Sequence, residues 1–390
     1  MKQGAQAFQR GAVEQAFASW KEATSLYEQT GRTLDQSRAL VHVAQASTAL
    51  GQTKQALQSL DLALLLAQQT GDAVWLATVL GAMGETYLAT RQLDAAERYL
   101  TQAVEIARKE HAAKLLASLL NTTGILHVLQ RRDQEALALF TESTEIAQDT
   151  GQQPVLVNAR VNAARTTLRL GQAQVSRIWL DQAFDLAIDL EPSRDKAGAL
   201  ITIGLTYHDM RPAIPLKSDA LLLRAAGVLQ EAVIVAERLG DQRMLSYALG
   251  HLGHLYELEY RSDESLQLTR RAIFAAQSAS APESLYRWHW QLGRLLDSTG
   301  RLDEGIASYR QSATTLQPIR SEVALATYDP SGSGQESVRP LFFELSDLLL
   351  QRAGLTDDVP AVQEYLRHAR DAIETYKAAE LRDYFRDDCV

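Results

Sequence analysis

Cysteine is all but absent: Cys389 is the single thiol in 390 residues. One thiol cannot close an internal disulfide and leaves a Cys-rich zinc site without ligands. No uninterrupted apolar run of about 18 residues occurs, which excludes a membrane-spanning helix. The residues Met1–Arg10 lack the basic-then-apolar layout of an export signal. A cytoplasmic location and no membrane contact are therefore the expectation. Basic residues are in deficit, 39 Lys and Arg against 48 Asp and Glu, for a net charge of −9. A grip on nucleic acid rests on a basic surplus, so a nucleic-acid partner is not expected, and a helical-repeat RNA binder ranks below a protein binder. The Gly-rich, nucleophile-elbow and HExxH patterns that mark several common enzyme classes are missing too. No catalytic residue, cofactor or metal is expected.

A single spacing stands out. Ala16, Ala56, Ala96 and Ala136 recur every 40 residues, as do Trp20, Leu60, Leu100, Phe140 and Leu180. Ala23, Ala63 and Ala103 share that period with Ser143 and Ala183, and Gly4, Gly84, Gly124 and Gly204 share its multiples. Leu40, Leu80, Leu120 and Leu200 form another series, with Arg160 as its exception. Gly31, Gly71 and Gly151 each follow a Thr. Shared registers over this length identify an internal repeat.

Within each unit the apolar positions step by three and four, as in Leu80, Met83, Gly84 and Tyr87. That is the period of a helix with one buried stripe. Small residues at fixed places let two helices approach, and bulky residues at neighbouring places fill the gap. Each unit reads as two antiparallel helices of roughly 21–26 Å at 1.5 Å per residue. The first helix ends near Gly51, Arg91, Arg131 or Gly171, the second at the Thr-Gly pair. A Gly there accepts the left-handed conformation that closes a helix.

The order Leu80, Met83, Gly84, Tyr87, Ala96, Leu100, Ala103 resembles the tetratricopeptide repeat (TPR), and Leu249, Leu252, Gly253, Tyr256 and Ala272 resemble it again. The resemblance implies an all-α fold, a right-handed α-solenoid of about seven to eight hairpins. The register breaks once, at 209–219, where Pro212 and Pro215 stand in an enlarged turn; it resumes nine residues late at Ala225, Leu229 and Ala232. The array is expected over 1–320, a flexible Gly/Ser loop over 321–339 and a C-terminal helix pair over 340–390. Gly4 already sits in mid-helix, so the first repeat is expected to lack a polar cap, and self-association through uncapped ends is an expectation. The segments Val338–Leu350 and Ala369–Cys389 resemble the stretch upstream of the caspase-like domain in CHAT-domain proteins. The CHAT domain itself is absent from these residues, and Cys389 does not match its nucleophile. That resemblance implies the regulatory part of a CHAT-type protease as an alternative.

In TPR proteins the first helix of each pair lines the concave face. The exposed offsets select Asn121, Asn158, Asn162 and Arg165, then Tyr247, His251, His254, Arg287, Trp290 and Arg294. Asn offers both a donor and an acceptor to a peptide backbone, Arg can clamp a carboxylate, and Tyr and Trp supply rigid contact area. These residues predict a groove for a peptide or protein partner carrying acidic groups; an ordinary solvated wall is the alternative. His251, His254 and Glu257 share one helix face at three-residue steps and were the nearest approach to a metal set, but polar wall groups are the simpler assignment. Trp20 and Trp179 are expected in the core, Trp75 between repeats, and Trp288 and Trp290 on different sides. The expected function is a non-catalytic interaction scaffold or sensor.

Overall fold

The computed structural model describes residues 1–320 and 338–387, with side chains to position 381. The expected Gly/Ser loop and Cys389 lie outside the described residues. Helices follow one another as hairpins, and no strand occurs among the described residues. The chain divides into two compact units, the first running from Met1 to Met244 and the second beginning at Leu245.

In the first unit the pairs are α1 (Lys2–Gln9) with α2 (Val13–Gln29), α3 (Thr33–Ala49) with α4 (Thr53–Thr70), and α5 (Ala73–Ala89) with α6 (Leu93–Lys109). Then come α7 (Ala113–Leu129) with α8 (Asp133–Asp149), α9 (Gln153–Arg169) with α10 (Ala173–Asp189), and α11 (Arg194–Asp209) with α12 (Ser218–Leu239). The second unit is built on α13 (Gln242–Leu258) with α14 (Ser262–Ser278), α15 (Pro282–Ser298) with α16 (Leu302–Leu316), and α17 (Arg339–Gly354) with α18 (Val359–Asp387). Two short 3-10 turns, Arg211–Ala213 and Pro215–Lys217, fill the enlarged connection before α12.

Close approach inside each hairpin explains the Gly and bulky registers. A Cβ built on Gly84 would lie 2.5 Å from Leu100, one on Gly124 2.5 Å from Phe140, and one on Gly293 2.4 Å from Tyr309. Gly4 meets Trp20 and Gly204 meets Leu229 in the same way. The bulky partners are buried to the last few per cent: Trp20 2%, Leu100 0%, Phe140 1%. A ring or branched chain on the second helix thus fills the space that a missing side chain leaves on the first. Each fully buried aliphatic or aromatic group contributes about 1.5–3 kcal/mol. Serines tie the same seam: Ser37 Oγ donates to the Ala63 carbonyl at 2.8 Å, Ser143 to Ala117 at 2.7 Å and Ser312 to Tyr286 at 2.7 Å. A hydroxyl bonded this way is buried without a desolvation deficit.

The turns keep a beat of their own. Positions 11, 31, 51, 71, 91, 111, 131, 151 and 171 all have positive φ, and 240, 260, 280 and 300 repeat the pattern after the enlarged connection. Eight of these are Gly, but Arg91, His111, Arg131, Tyr260 and Ser280 hold the same left-handed conformation without being Gly. Between α1 and α16 two boundaries lack it, the enlarged connection between α11 and α12 and the turn between α10 and α11, where Pro192 stands. There the buried Lys196 donates from Nζ to the carbonyls of Ile188 and Leu190 at 2.7 and 2.6 Å. Its ammonium satisfies the last oxygens of α10, where the helix dipole favours a cation.

The second unit closes on its own core. Tyr286, Trp290, Ile306, Tyr309 and Leu316 pack against Leu341, Phe342, Leu345 and Leu349 of α17 and Tyr376 of α18. The C-terminal pair therefore covers the apolar face of α15 and α16. Trp20 is core, Trp179 is half-buried, and Trp75 bridges two repeats by donating from Nε1 to Ser37 Oγ at 2.8 Å.

Two predictions follow from this packing. His111 and Arg131 are exposed at left-handed positions, and a non-Gly residue there costs about 1 kcal/mol. The double substitution His111→Gly/Arg131→Gly should raise stability by about 1–3 kcal/mol in a urea titration. Gly124→Ala should instead destabilise by about 1–3 kcal/mol through overpacking against Phe140, outweighing its gain in helix propensity. Adding Phe140→Leu should return most of that loss, because the chain already pairs Ala44 with Leu60 and Ala164 with Leu180 at this register.

Candidate functional site

In the first unit the expected wall residues lie on α7 and α9. Asn162 Nδ2 donates to Asn121 Oδ1 at 2.9 Å, so these two amides join neighbouring repeats. Asn158 is exposed one helical turn before Asn162, and the half-buried Arg165 follows on the same side. Next along the wall, the Thr122 hydroxyl donates to Glu85 Oε1 at 3.2 Å. Glu85 was not selected from the sequence. Its side chain has area open to solvent, yet burial by the surrounding helices pushes its carboxyl above the ordinary range, the Thr122 hydrogen bond offsetting only part. Both facts hold for a group in a wet but enclosed space.

A second wall lies in the second unit. The rings of Tyr247 and His251 stack with centroids 6.3 Å apart, and His251 meets Trp288 edge-on at 5.2 Å. His254 Nδ1 hydrogen-bonds Glu257 Oε2 at 2.9 Å. Arg294 holds the same carboxylate with two parallel bonds, at 2.8 and 2.9 Å. Arg287 donates from Nε to the Tyr286 hydroxyl at 3.2 Å. Trp290, expected on this wall, is only 7% exposed. It belongs to the core: its Nε1 donates to Glu344 Oε2 at 2.6 Å, and Tyr309 donates to the same oxygen at 2.8 Å. Trp288 is buried as well, at 3%. The reason is its neighbour: at the register that Asn121 and Val161 hold in the first unit, Glu344 of α17 supplies an acceptor that draws the indole inside.

The charges form one chain. The Arg294 guanidinium lies 5.4 Å from the Trp290 ring centroid. It therefore links Glu257 on α13 with the Trp290–Glu344 contact to α17. Burial, then the charge and hydrogen bond of Glu344, push the Tyr309 phenol far up. For Glu257, burial alone would raise the carboxyl. The hydrogen bonds from His254 and Arg294, with the Arg294 charge, outweigh it and hold the group at about 2. This carboxylate is spent on Arg294 and His254, while His251 turns to Tyr247 and Trp288. Among the described residues no three His, Cys, Asp or Glu side chains gather as a metal site requires.

Glu257 makes a pH prediction. Its folded value of about 2 lies below the ordinary 4.5, so its contribution is complete above about pH 5 and is lost as pH falls toward 2. The size is on the order of 3 kcal/mol. Glu257→Gln should lower the Tm at pH 7 and flatten its fall between pH 5 and 3, read by circular dichroism.

Similarity to known proteins can be set against this geometry. The family model described as tetratricopeptide repeat matches residues 35–109 and 75–149. One described as anaphase-promoting complex subunit 5 matches residues 221–259. Among curated proteins no match is found. A Rap protein solved in complex with Competence and Sporulation Factor is 14% identical, with a TM-score of 0.52 over 89% of this chain and 97% of that one. The apo form of RapI is 14% identical, with a TM-score of 0.50 over 73% of this chain and 99% of its own. A STAND-type signal transduction ATPase with a TPR sensor, from Pyrococcus horikoshii, is 10% identical, with a TM-score of 0.51 over 89% of this chain and 52% of that protein. These likenesses concern the fold. No helix among the described residues is long and apolar enough to cross a membrane. Tetratricopeptide repeats are therefore present over residues 35–149, and the helical hairpins of the same α-solenoid fold continue on both sides of them.

Proposed function

We propose that this chain is a non-catalytic scaffold or sensor that binds a segment of a partner protein along the inner wall of its first helices. One observation carries the reading: the Asn162–Asn121 amide bond, which sets a polar ladder across two repeats with Asn158 and Arg165 beside it. Amides so placed offer donors and acceptors to an extended main chain, and an Arg beside them favours an acidic side chain. Solenoids of this kind recognise partners by shape and polar contacts over a long surface. The Rap relative of similar fold was solved with a bound factor, which agrees with a peptide or protein partner here.

The sensor half of the reading rests on the second unit. A ligand that displaces His254 or Arg294 from Glu257 would disturb the Arg294–Trp290–Glu344 chain and so reach α17. The resemblance of α17 and α18 to the leader of CHAT-type proteases gives that output a direction: a neighbouring effector.

Affinity capture with mass spectrometry tests the wall. The unaltered chain is compared with Asn158→Ala/Asn162→Ala/Arg165→Ala. Loss of contacts worth about 2 kcal/mol or more should cut the specific catch by at least about tenfold. Equal catches would remove the assignment.

A further inference from the structure

Seven glycines of the first unit hold left-handed turns, and six of them, Gly31, Gly51, Gly71, Gly151, Gly171 and Gly240, have nothing within 4 Å of a built Cβ. Gly11 is the exception. A Cβ there would lie 2.4 Å from Asp241 Cγ and 2.5 Å from its Oδ2. The turn after α1 is thus pressed against the turn after α12, at the far end of the same unit. Asp241 is 2% exposed. Arg194 Nη1 meets its Oδ2 at 3.0 Å, and its Oδ1 accepts the Met244 N–H at 3.0 Å.

The contact joins opposite ends of the hairpins. Gly11 follows the end of a first helix, whereas Asp241 precedes the start of one. Over six first helices, α1, α3, α5, α7, α9 and α11, the unit has therefore come round once and risen by one helix length, about 25 Å for 17 residues. Six helices with axes about 8–10 Å apart stand about 8–10 Å from the centre. Subtracting a helix radius of about 5–6 Å leaves a bore of about 4–10 Å. An extended chain fits that width, whereas a helix of about 10–12 Å does not. Glu85, wet yet enclosed in the middle of α5, has the surroundings such a bore would give it.

We propose that Gly11, Asp241 and Arg194 form a clasp that closes the first unit into a narrow tube, so that its inner wall takes an extended polypeptide end-on and admits anything wider only when the clasp opens. This rests on the reading of the inner wall as the partner site and specifies its access. The buried Arg194–Asp241 pair fixes the carboxylate, and the absence of a Cβ at position 11 lets the turn reach it.

The test needs no partner. In a Cys389→Ser background, Ser118→Cys places one thiol on the inner wall of α7, and Glu145→Cys places one on exposed α8 in a second protein. Each is labelled with N-ethylmaleimide and with a 5-kDa polyethylene-glycol maleimide at about equal concentration. With the open form populated at about 10% or less, the bulky reagent should lag at position 118 by about tenfold or more, relative to N-ethylmaleimide and to position 145. Gly11→Val and Arg194→Met should each erase most of that lag. Gly31→Val should keep it, because it carries the same backbone strain with no neighbour to strike. Should Gly11→Val lose its helical circular dichroism, Arg194→Met decides alone. Equal access of the bulky reagent to both positions in the unaltered clasp would overturn the proposal, as would a lag that survives both clasp substitutions. An open tube would still leave the inner wall free to bind, and equal capture by the alanine variant would still leave the clasp.

Discussion

Everything in this molecule depends on how near two helices can come inside one hairpin. Side chains of ordinary size on both helices would hold the pair farther apart than the small positions allow. Here the distance is set by a missing or minimal side chain on the first helix, at Gly4, Ala44, Gly84, Gly124, Ala164 and Gly204, and by the large side chain it receives from the second. Trp20 and Phe140 face Gly, whereas Leu faces either Gly, as at Leu100 and Leu229, or Ala, as at Leu60 and Leu180. The variation keeps the seam filled at constant spacing, so each hairpin offers its successor the same footing.

That pairing is why so much of the fold was legible in the residues. Gly or Ala opposite a bulky group, repeated at 40-residue spacing, specifies both the helices and their contact, and the prolines at 212 and 215 mark the one enlarged turn. Of the residues expected on an inner wall, the contacts of only some were legible. Asn121 and Asn162 follow from offset counting, and they do meet. Trp290 shows the limit of that method. Its register is a seam position, and whether a seam position faces water depends on what packs next to it; here Glu344, distant in sequence, supplies an acceptor that draws the indole inside. Glu85 and the Gly11–Asp241 contact were illegible for the same reason. Each acquires meaning only from curvature, which accumulates over many repeats and is written in no single one of them.

The two walls also differ in kind. In the first unit the polar groups are mostly amides and hydroxyls, joined pairwise between neighbouring repeats. In the second, one buried carboxylate gathers a histidine and an arginine, and the arginine lies over an indole tied to the last helix pair. Neutral amides can exchange partners at little cost, whereas a buried charged cluster resists rearrangement and loses several contacts at once when it yields.

The turn geometry has a consequence for how such proteins are recognised. What recurs at nearly every boundary between helices is a handedness of the backbone, and glycine is merely its commonest bearer; Arg91, His111, Arg131, Tyr260 and Ser280 serve in its stead. Substitution can therefore change the letter while the backbone keeps time: the repeat model matches straight across Arg91, His111 and Arg131, where the glycine is missing.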